Sequence, residues 1–368
     1  MTPHVLFIEL SDHHDEVLLS YTLDALALGW SVTIVCTESV KDRLPLPDTV
    51  NIMSITSNKN LQARISLALR LRTEIRHRQI SHVVFVTTGG TAVRDLAMLL
   101  PRSMYKIGVA HDTGKLSESI NQRIVSTRMK AFTVLADFVL DDIPTPHKPV
   151  YVVPATSRLS DNVLSGVRPA TDTFDIVIPG HVEWSRKAYA DILRSDVLES
   201  LPDHVRFVVL GGLDANSEGG QRLLLLIRQL DTNRIVTFDR RVDHIRYQSW
   251  AQKASVILPL LHPSCPVYSE YTSTKISGAM STAWAFGIPL LLERGFERHE
   301  SLHPGTMFYD VDDLPAVLLR LVENPLILDE YRGKQPTSST APQRRRELAR
   351  ALDVDVSMVV HSNTGELS

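Results

Sequence analysis

Four short stretches of this 368-residue chain hold residue types that could do chemistry. After the apolar run His4–Leu10 comes Ser11-Asp12-His13-His14-Asp15-Glu16, at the carboxyl end of an expected parallel strand, where open α/β sheets bind ligands. Ser11 or Asp12 suffices to cap a following helix, and Asp15 and Glu16 suit its dipole. Capping does not explain His13 and His14, and His14 with Asp15 could contact or deprotonate a substrate hydroxyl. His111 and Asp112 follow a second apolar strand, "KIGVAHDTG". There an imidazole could bond a hydroxyl while Asp112 fixes its tautomer, unless Asp112 only caps the next helix.

The other two stretches are cationic. "VIPGHVEWSRKAYADIL" sets Gly180 after a strand and Arg186 and Lys187 at an expected helix start, where a guanidinium and an ammonium would face phosphate. "SVILPLLHPSCPVYSEYTSTKISGAMSTAWAFGIPLLLE" reads as strand, loop, helix and strand. Its helix is expected to open at Ser273, Thr274 and Lys275, with free backbone N–H groups for a phosphate or diphosphate.

Other chemistries are disfavoured. No glycine lies between Leu10 and Leu28, so the G-x-G-x-x-G turn of a dinucleotide site is missing. Asp310, Asp312 and Asp313, and Asp353 with Asp355, match a cation-binding Asp-x-Asp spacing. Helix capping before Leu314-Pro315 accounts for the first set, and the second falls in the terminal region. No metal site is expected. Cys36 and Cys265 lie in different halves and read as buried free thiols.

The elements that must position these groups repeat one grammar twice. "HVLFIEL", "SVTIVCT", "NIMSIT", "HVVFVTT", "KIGVAHD", "FTVLADF" and "PVYVVP" read as strands, with helical segments between several of them. The pattern restarts with "FDIVIPG", "VRFVVLGG", "RIVTF", "SVILPLL" and "IPLLLE". Such alternation builds parallel sheets covered on both faces. The expected fold is therefore α/β, with two Rossmann-like domains and a cleft between them. Residues 1–155 form the first domain, 156–173 a linker, 174–335 the second, and 336–368 a connector, short helix and tail. With 43% hydrophobic and 22% charged residues the chain suits a globular protein of two cores.

No apolar run is long enough to span a bilayer and no leader pattern opens the chain, so a cytoplasmic location is expected. Residues 1–170 carry 18 Lys and Arg against 16 Asp and Glu, and the remainder 21 against 26. The basic excess falls on "LQARISLALRLRTEIRHR", a helix face that solvent or the inner surface of an anionic membrane could meet. No nucleic-acid partner is expected.

Two Rossmann-like halves, phosphate-binding groups in the second, and the step "AFGIPLLL" after a helix resemble the GT-B glycosyltransferases. The similarity is greatest to the large retaining family that includes bacterial mannosyl- and glucosyltransferases. There a glycine, an arginine and a lysine grip the donor diphosphate. Here Gly180 is present, His181 stands at the arginine, and Arg186 with Lys187 occupies the lysine region. The family's paired glutamates fall on Thr274 and Thr282, or on Glu270 and Gly278 if the helix carries one more turn. At least one carboxylate is absent, which leaves Ser277 or the Gly278 backbone for the donor sugar. His111 resembles the histidine that such enzymes place beside that sugar.

The resemblance implies a metal-independent glycosyltransferase without a cofactor, taking sugar from a nucleotide-diphosphate-sugar held by the second domain. The acceptor, a glycan, a lipid-linked sugar or a small molecule, would dock on the first. Retention is implied by the leaving-group cations, with the loop His13 to Glu16 offering an inverting enzyme's base. A nucleotide-sugar 2-epimerase and a silent binding subunit are the rival expectations.

Overall fold

The computed structural model describes residues 2–55, 60–141, 143, 148–156, 158–159 and 173–355. It divides into two compact units, one comprising Met1–Ser157 and Ser338–Ser368, the other Arg158–Thr337. The linker read at 156–173 and the tail beyond 355 lie largely or wholly outside the described residues.

In the first unit seven strands form one parallel sheet: β1 (His4–Ile8), β2 (Ser31–Thr37), β3 (Asn51–Ile55), β4 (His82–Phe85), β5 (Tyr105–Val109), β6 (Ala131–Val134) and β7 (Val150–Val152). Their order is β3-β2-β1-β4-β5-β6-β7. Apolar side chains on both faces of β1 and β4 are buried because helices cover both sides, as a parallel sheet requires. On one face Leu6, Ile8, Val83 and Phe85 pack with Leu67 and Leu71 of helix Leu61–His77 and with Val93 and Leu96 of helix Thr91–Leu99. The opposite face of helix Leu61–His77 leaves Leu61, Ile65 and Leu69 exposed at 58%, 41% and 57%. These three share one stripe by their four-residue spacing.

The last helix, Ala341–Ala351, returns to this unit. Arg344 lies buried against Asp24 of helix Asp15–Ala27, through Nε to Oδ2 and Nη2 to Oδ1, both 2.9 Å. It also donates to Thr156 Oγ1 at 2.9 Å. The first unit is therefore built from both ends of the chain, with the second unit inserted between them in sequence.

The second unit carries six parallel strands, β8 (Phe174–Pro179), β9 (Val205–Gly212), β10 (Ile235–Phe238), β11 (Val256–Ile257), β12 (Leu290–Glu293) and β13 (Thr306–Tyr309), in the order β10-β9-β8-β11-β12-β13. Ile176, Ile178, Phe207 and Val209 of its centre pack with Leu314, Leu318 and Leu321 of helix Leu314–Glu323. Both sheets reverse strand order beside their first strand, at β1/β4 and at β8/β11. Helices leave opposite faces there, so a crevice opens beyond the carboxyl ends.

Candidate active site

In the first unit β1 ends at this crevice and delivers Glu9, which is fully buried. Its Oε1 accepts from the Ser11 amide and hydroxyl, both at 2.7 Å, and its Oε2 from Thr87 Oγ1 at 2.6 Å. Burial raises the pKa of Glu9, and these donors only partly offset it. The carboxylate thus ties the end of β1 to the segment after β4.

The loop it anchors is pinned from outside. Arg43 donates to the Asp12 carbonyl at 2.9 Å and pairs with Asp15 at 3.1 Å. Thr37 and Ser39 hydroxyls bond Asp12 Oδ1 at 2.6 and 2.7 Å, which lowers that carboxyl's pKa. Held this way, His14 adopts a left-handed backbone, φ 62°, at the start of helix Asp15–Ala27, a conformation uncommon outside glycine.

The His14 ring lies against that of His111, centroids 3.9 Å apart. His111 Nε2–H donates to the Val86 carbonyl at 2.7 Å, which leaves Nδ1 as the lone-pair nitrogen. Burial, then the charge of His14, push the His111 pKa down to about 3, so its ring is neutral. Burial opposes a charge on His14 as well, but Glu16, 3.6 Å from Nδ1, and the charges of Glu9 and Asp15 outweigh it and raise its pKa. The proton affinities of two imidazoles in contact are thus shifted in opposite directions, a common mark of divided roles in a site.

Two expectations change here. Asp15 is turned inward, 1% exposed, onto Arg43, so Glu16 rather than Asp15 is the carboxylate beside His14. The His111 tautomer is set by the Val86 carbonyl, while Asp112 pairs with Lys115 at 3.6 Å.

In the second unit a cavity of about 670 Å³ lies beyond β8 and β11, a volume that suits a nucleotide-sized ligand. β8 runs into Gly180, whose φ of 91° favours glycine. A Cβ on Gly211 would stand 2.1 Å from the Gly180 carbonyl oxygen, so β9 keeps a glycine where this turn crosses it. Lys187 lines the cavity and donates to the carbonyls of Pro179 and Gly180. Burial pushes its pKa down to about 7, with Glu183 opposing and Arg186 assisting.

Helix Glu218–Leu230 points its N-terminus at the same cavity, capped by Ser217, whose Oγ accepts the Gly220 amide at 3.0 Å. Arg222 on its first turn pairs with Glu218 at 3.1 Å. Trp184, Asp191 and Ser264 complete the wall. Asp191 Oδ2 accepts from His262 Nδ1 at 2.8 Å and from Ser264 Oγ at 3.2 Å. His262 is buried, and its Nε2 meets the Tyr309 hydroxyl at 2.8 Å.

The sequence reading of this unit is only partly matched. Lys187 lies at the cavity, whereas neither Gly180 nor Arg186 lines it: the Gly180 carbonyl accepts from Lys187, and Arg186 is half-exposed on Glu183 at 2.7 Å. The helix expected from Ser273 begins at Gly278, with Ser277 as its cap. The Ser273, Thr274 and Lys275 amides all donate to the Glu270 carbonyl, at 3.3, 2.9 and 2.8 Å, so they are not free for phosphate. The Lys275 ammonium bonds the Glu270 carboxylate, and Thr282 Oγ1 bonds the Gly278 carbonyl. Among the described residues none from Glu270 to Gly278 lines the cavity. Asp191 and His262 were missed, although "LPLLHPS" places His262 after an apolar strand just as "KIGVAHD" places His111.

No group of three or more His, Cys, Asp or Glu placed to hold a metal occurs among the described residues, and no described helix is long and apolar enough to cross a membrane.

No protein-family model matches the chain, and no curated protein matches it in sequence. Its fold does match solved structures over nearly its whole length. Sucrose-phosphate synthase from Thermosynechococcus elongatus superposes with a TM-score of 0.59 at 12% identity, over 97% of this chain and 96% of that one. The UDP-GlcNAc 2-epimerase from Neisseria meningitidis bound to UDP-GlcNAc gives 0.61 at 12%, over 95% and 99%. A glycosyltransferase from Rickettsia africae gives 0.57 at 12%, over 96% and 95%. The chain has the two-domain α/β GT-B fold that these proteins share.

Proposed function

We propose that this protein is an enzyme acting on a nucleotide-diphosphate-sugar and, more specifically, a glycosyltransferase. The observation that carries the reading is the cavity at the β8/β11 reversal, where the buried Lys187 ammonium and the N-terminus of helix Glu218–Leu230 converge. A protonated lysine beside a helix N-terminus is suited to a diphosphate and to the charge of its departure. On this reading the site needs neither a resident metal nor a further cofactor.

In the first unit, Glu16 favours the charged form of His14, and His111, held neutral, offers Nδ1 to a substrate hydroxyl. With its pKa down to about 3, His111 is a poor base. That fits a retaining course in which the donor phosphate takes the acceptor proton, and the anomeric configuration of the product would test it. The exposed Leu61, Ile65 and Leu69 stripe, with Arg70 and Arg76 exposed on the same helix, favours an acceptor presented at an anionic lipid surface.

The test is a thermal-shift screen against nucleoside diphosphates and their sugars, since binding stabilises the folded state by mass action. Stabilisation by at least one nucleoside diphosphate is expected, and none at millimolar ligand would overturn the reading. A second reading, a nucleotide-sugar 2-epimerase, is favoured by the somewhat higher fold similarity to the epimerase, 0.61 against 0.59 and 0.57. Conversion of the donor to an isomeric sugar without acceptor would select it.

A further inference from the structure

We propose that Asp191 is the carboxylate that recognises vicinal hydroxyls of the ligand in the second-unit cavity, and that His262 and Tyr309 position it. The proposal rests on the nucleotide-sugar reading of that cavity.

Asp191 stands on the cavity wall with its side chain 29% exposed, while His262 behind it is 1% exposed. One oxygen, Oδ2, takes both the imidazole N–H and the Ser264 hydroxyl. The other, Oδ1, has no hydrogen-bond partner among the described residues. A carboxylate fixed through one oxygen is an oriented acceptor at the other. The fixing is unusually deep for a surface acid. His262 spends its second nitrogen on the Tyr309 hydroxyl, and Tyr309 is itself buried in β13. A chain Tyr309–His262–Asp191 thus runs from the sheet to the cavity, linking β13, the segment after β11 and the segment after β8.

The surroundings define the ligand. Lys187 supplies the cation for phosphate on the same wall. Glu183 and Glu218, the other carboxylates there, are paired with Arg186 and Arg222. Asp191 is instead held by an imidazole and a hydroxyl, which orient its charge without a guanidinium to compete for it. A cation for phosphate and an oriented acceptor in one cavity match a phosphorylated polyol, either the ribose diol of a nucleotide or the hydroxyls of the sugar it carries. Tyr189, two residues before Asp191, adds a buried hydroxyl without a partner in the same wall. Asp191 would then fill the role of the donor-site carboxylate that is absent from Thr274, Thr282 and Gly278.

The experiment measures, by calorimetry, binding of UDP, GDP, their 2′,3′-dideoxy forms, UDP-glucose, GDP-mannose and inorganic pyrophosphate to the wild-type protein and to Asp191→Asn, His262→Gln and Tyr309→Phe. Loss of a charge-assisted hydrogen bond corresponds to about a 10- to 100-fold weakening. Asp191→Asn should weaken the nucleoside diphosphate by that factor, leave pyrophosphate unchanged and have no effect on the dideoxy form, if the ribose is the partner. If the sugar is the partner, the nucleotide-sugar alone should weaken. His262→Gln should reproduce the selectivity at smaller size, and Tyr309→Phe smaller still. Equal weakening of every ligand including pyrophosphate would mark a merely structural aspartate and overturn the inference, as would no weakening of any. Failure of the wild type to bind any nucleoside diphosphate would overturn the function itself.

Discussion

His14 and His111 lie ring against ring, centroids 3.9 Å apart and planes inclined by 36°, yet their proton affinities shift in opposite directions: burial and the charge of His14 lower that of His111, while Glu16, Glu9 and Asp15 raise that of His14. Because the folded pKa of His14 is raised, its charge is present below that pKa and is lost as pH rises through it. If the cationic form is the working one, kcat/KM should fall along an alkaline limb. Glu16→Gln, which removes the largest source of the rise, should move that limb to lower pH. An unmoved limb would detach His14 from the reaction.

Lys187 gives a second pH dependence with the same sign and a different origin. Burial holds its free pKa at about 7, and a bound diphosphate would favour the ammonium. Affinity for a nucleoside diphosphate should therefore weaken above pH 7, by at most about tenfold per pH unit. Calorimetry at pH 6 and pH 8 reads this directly. Lys187→Met should weaken binding at pH 6 and abolish the difference between the two.

Arg344 predicts stability rather than activity. Removing one partner of a buried ion pair costs about 3–5 kcal/mol. Arg345 Nε, 3.4 Å from Asp24 Oδ1, should keep the cost of Arg344→Met near the lower figure. Urea unfolding should show the loss in the first unit. Nucleotide binding by the second unit should persist in conditions where the first has melted, if each unit is its own cooperative body.

The stripe Leu61, Ile65 and Leu69 should bind vesicles containing anionic lipid and not neutral ones. Replacing the three by Ser should abolish co-sedimentation while leaving the melting temperature within a few degrees, because exposed side chains contribute little to the core. Retained co-sedimentation would remove the argument for a lipid-linked acceptor.

Twelve of the thirteen described strands were legible because each is a short apolar run between turn signals; the edge strand β13, only Thr306–Tyr309, was too short to stand out. Lys187, which lines the cavity, follows such a run. The remainder of the site was not legible. Asp191 and His262 are 71 residues apart, and only the strand order β8-β11 brings them together. Ser273, Thr274 and Lys275 have the composition of a helix opening, but the Glu270 carbonyl collects their amides into a turn and delays the helix to Gly278. Local composition could not reveal which carbonyl would win. Asp15 misled for a related reason, since its partner Arg43 lies across β2.

The return of helix Ala341–Ala351 to the first unit has a consequence for how the chain is made. Asp24 leaves the ribosome 320 residues before Arg344, on the order of tens of seconds at ordinary translation rates. Throughout that interval the second unit emerges whole, while the carboxylate meant for the interior of the first has no guanidinium to meet it. The inserted unit can therefore be finished before the one that surrounds it, and the nascent first unit is the span that must wait.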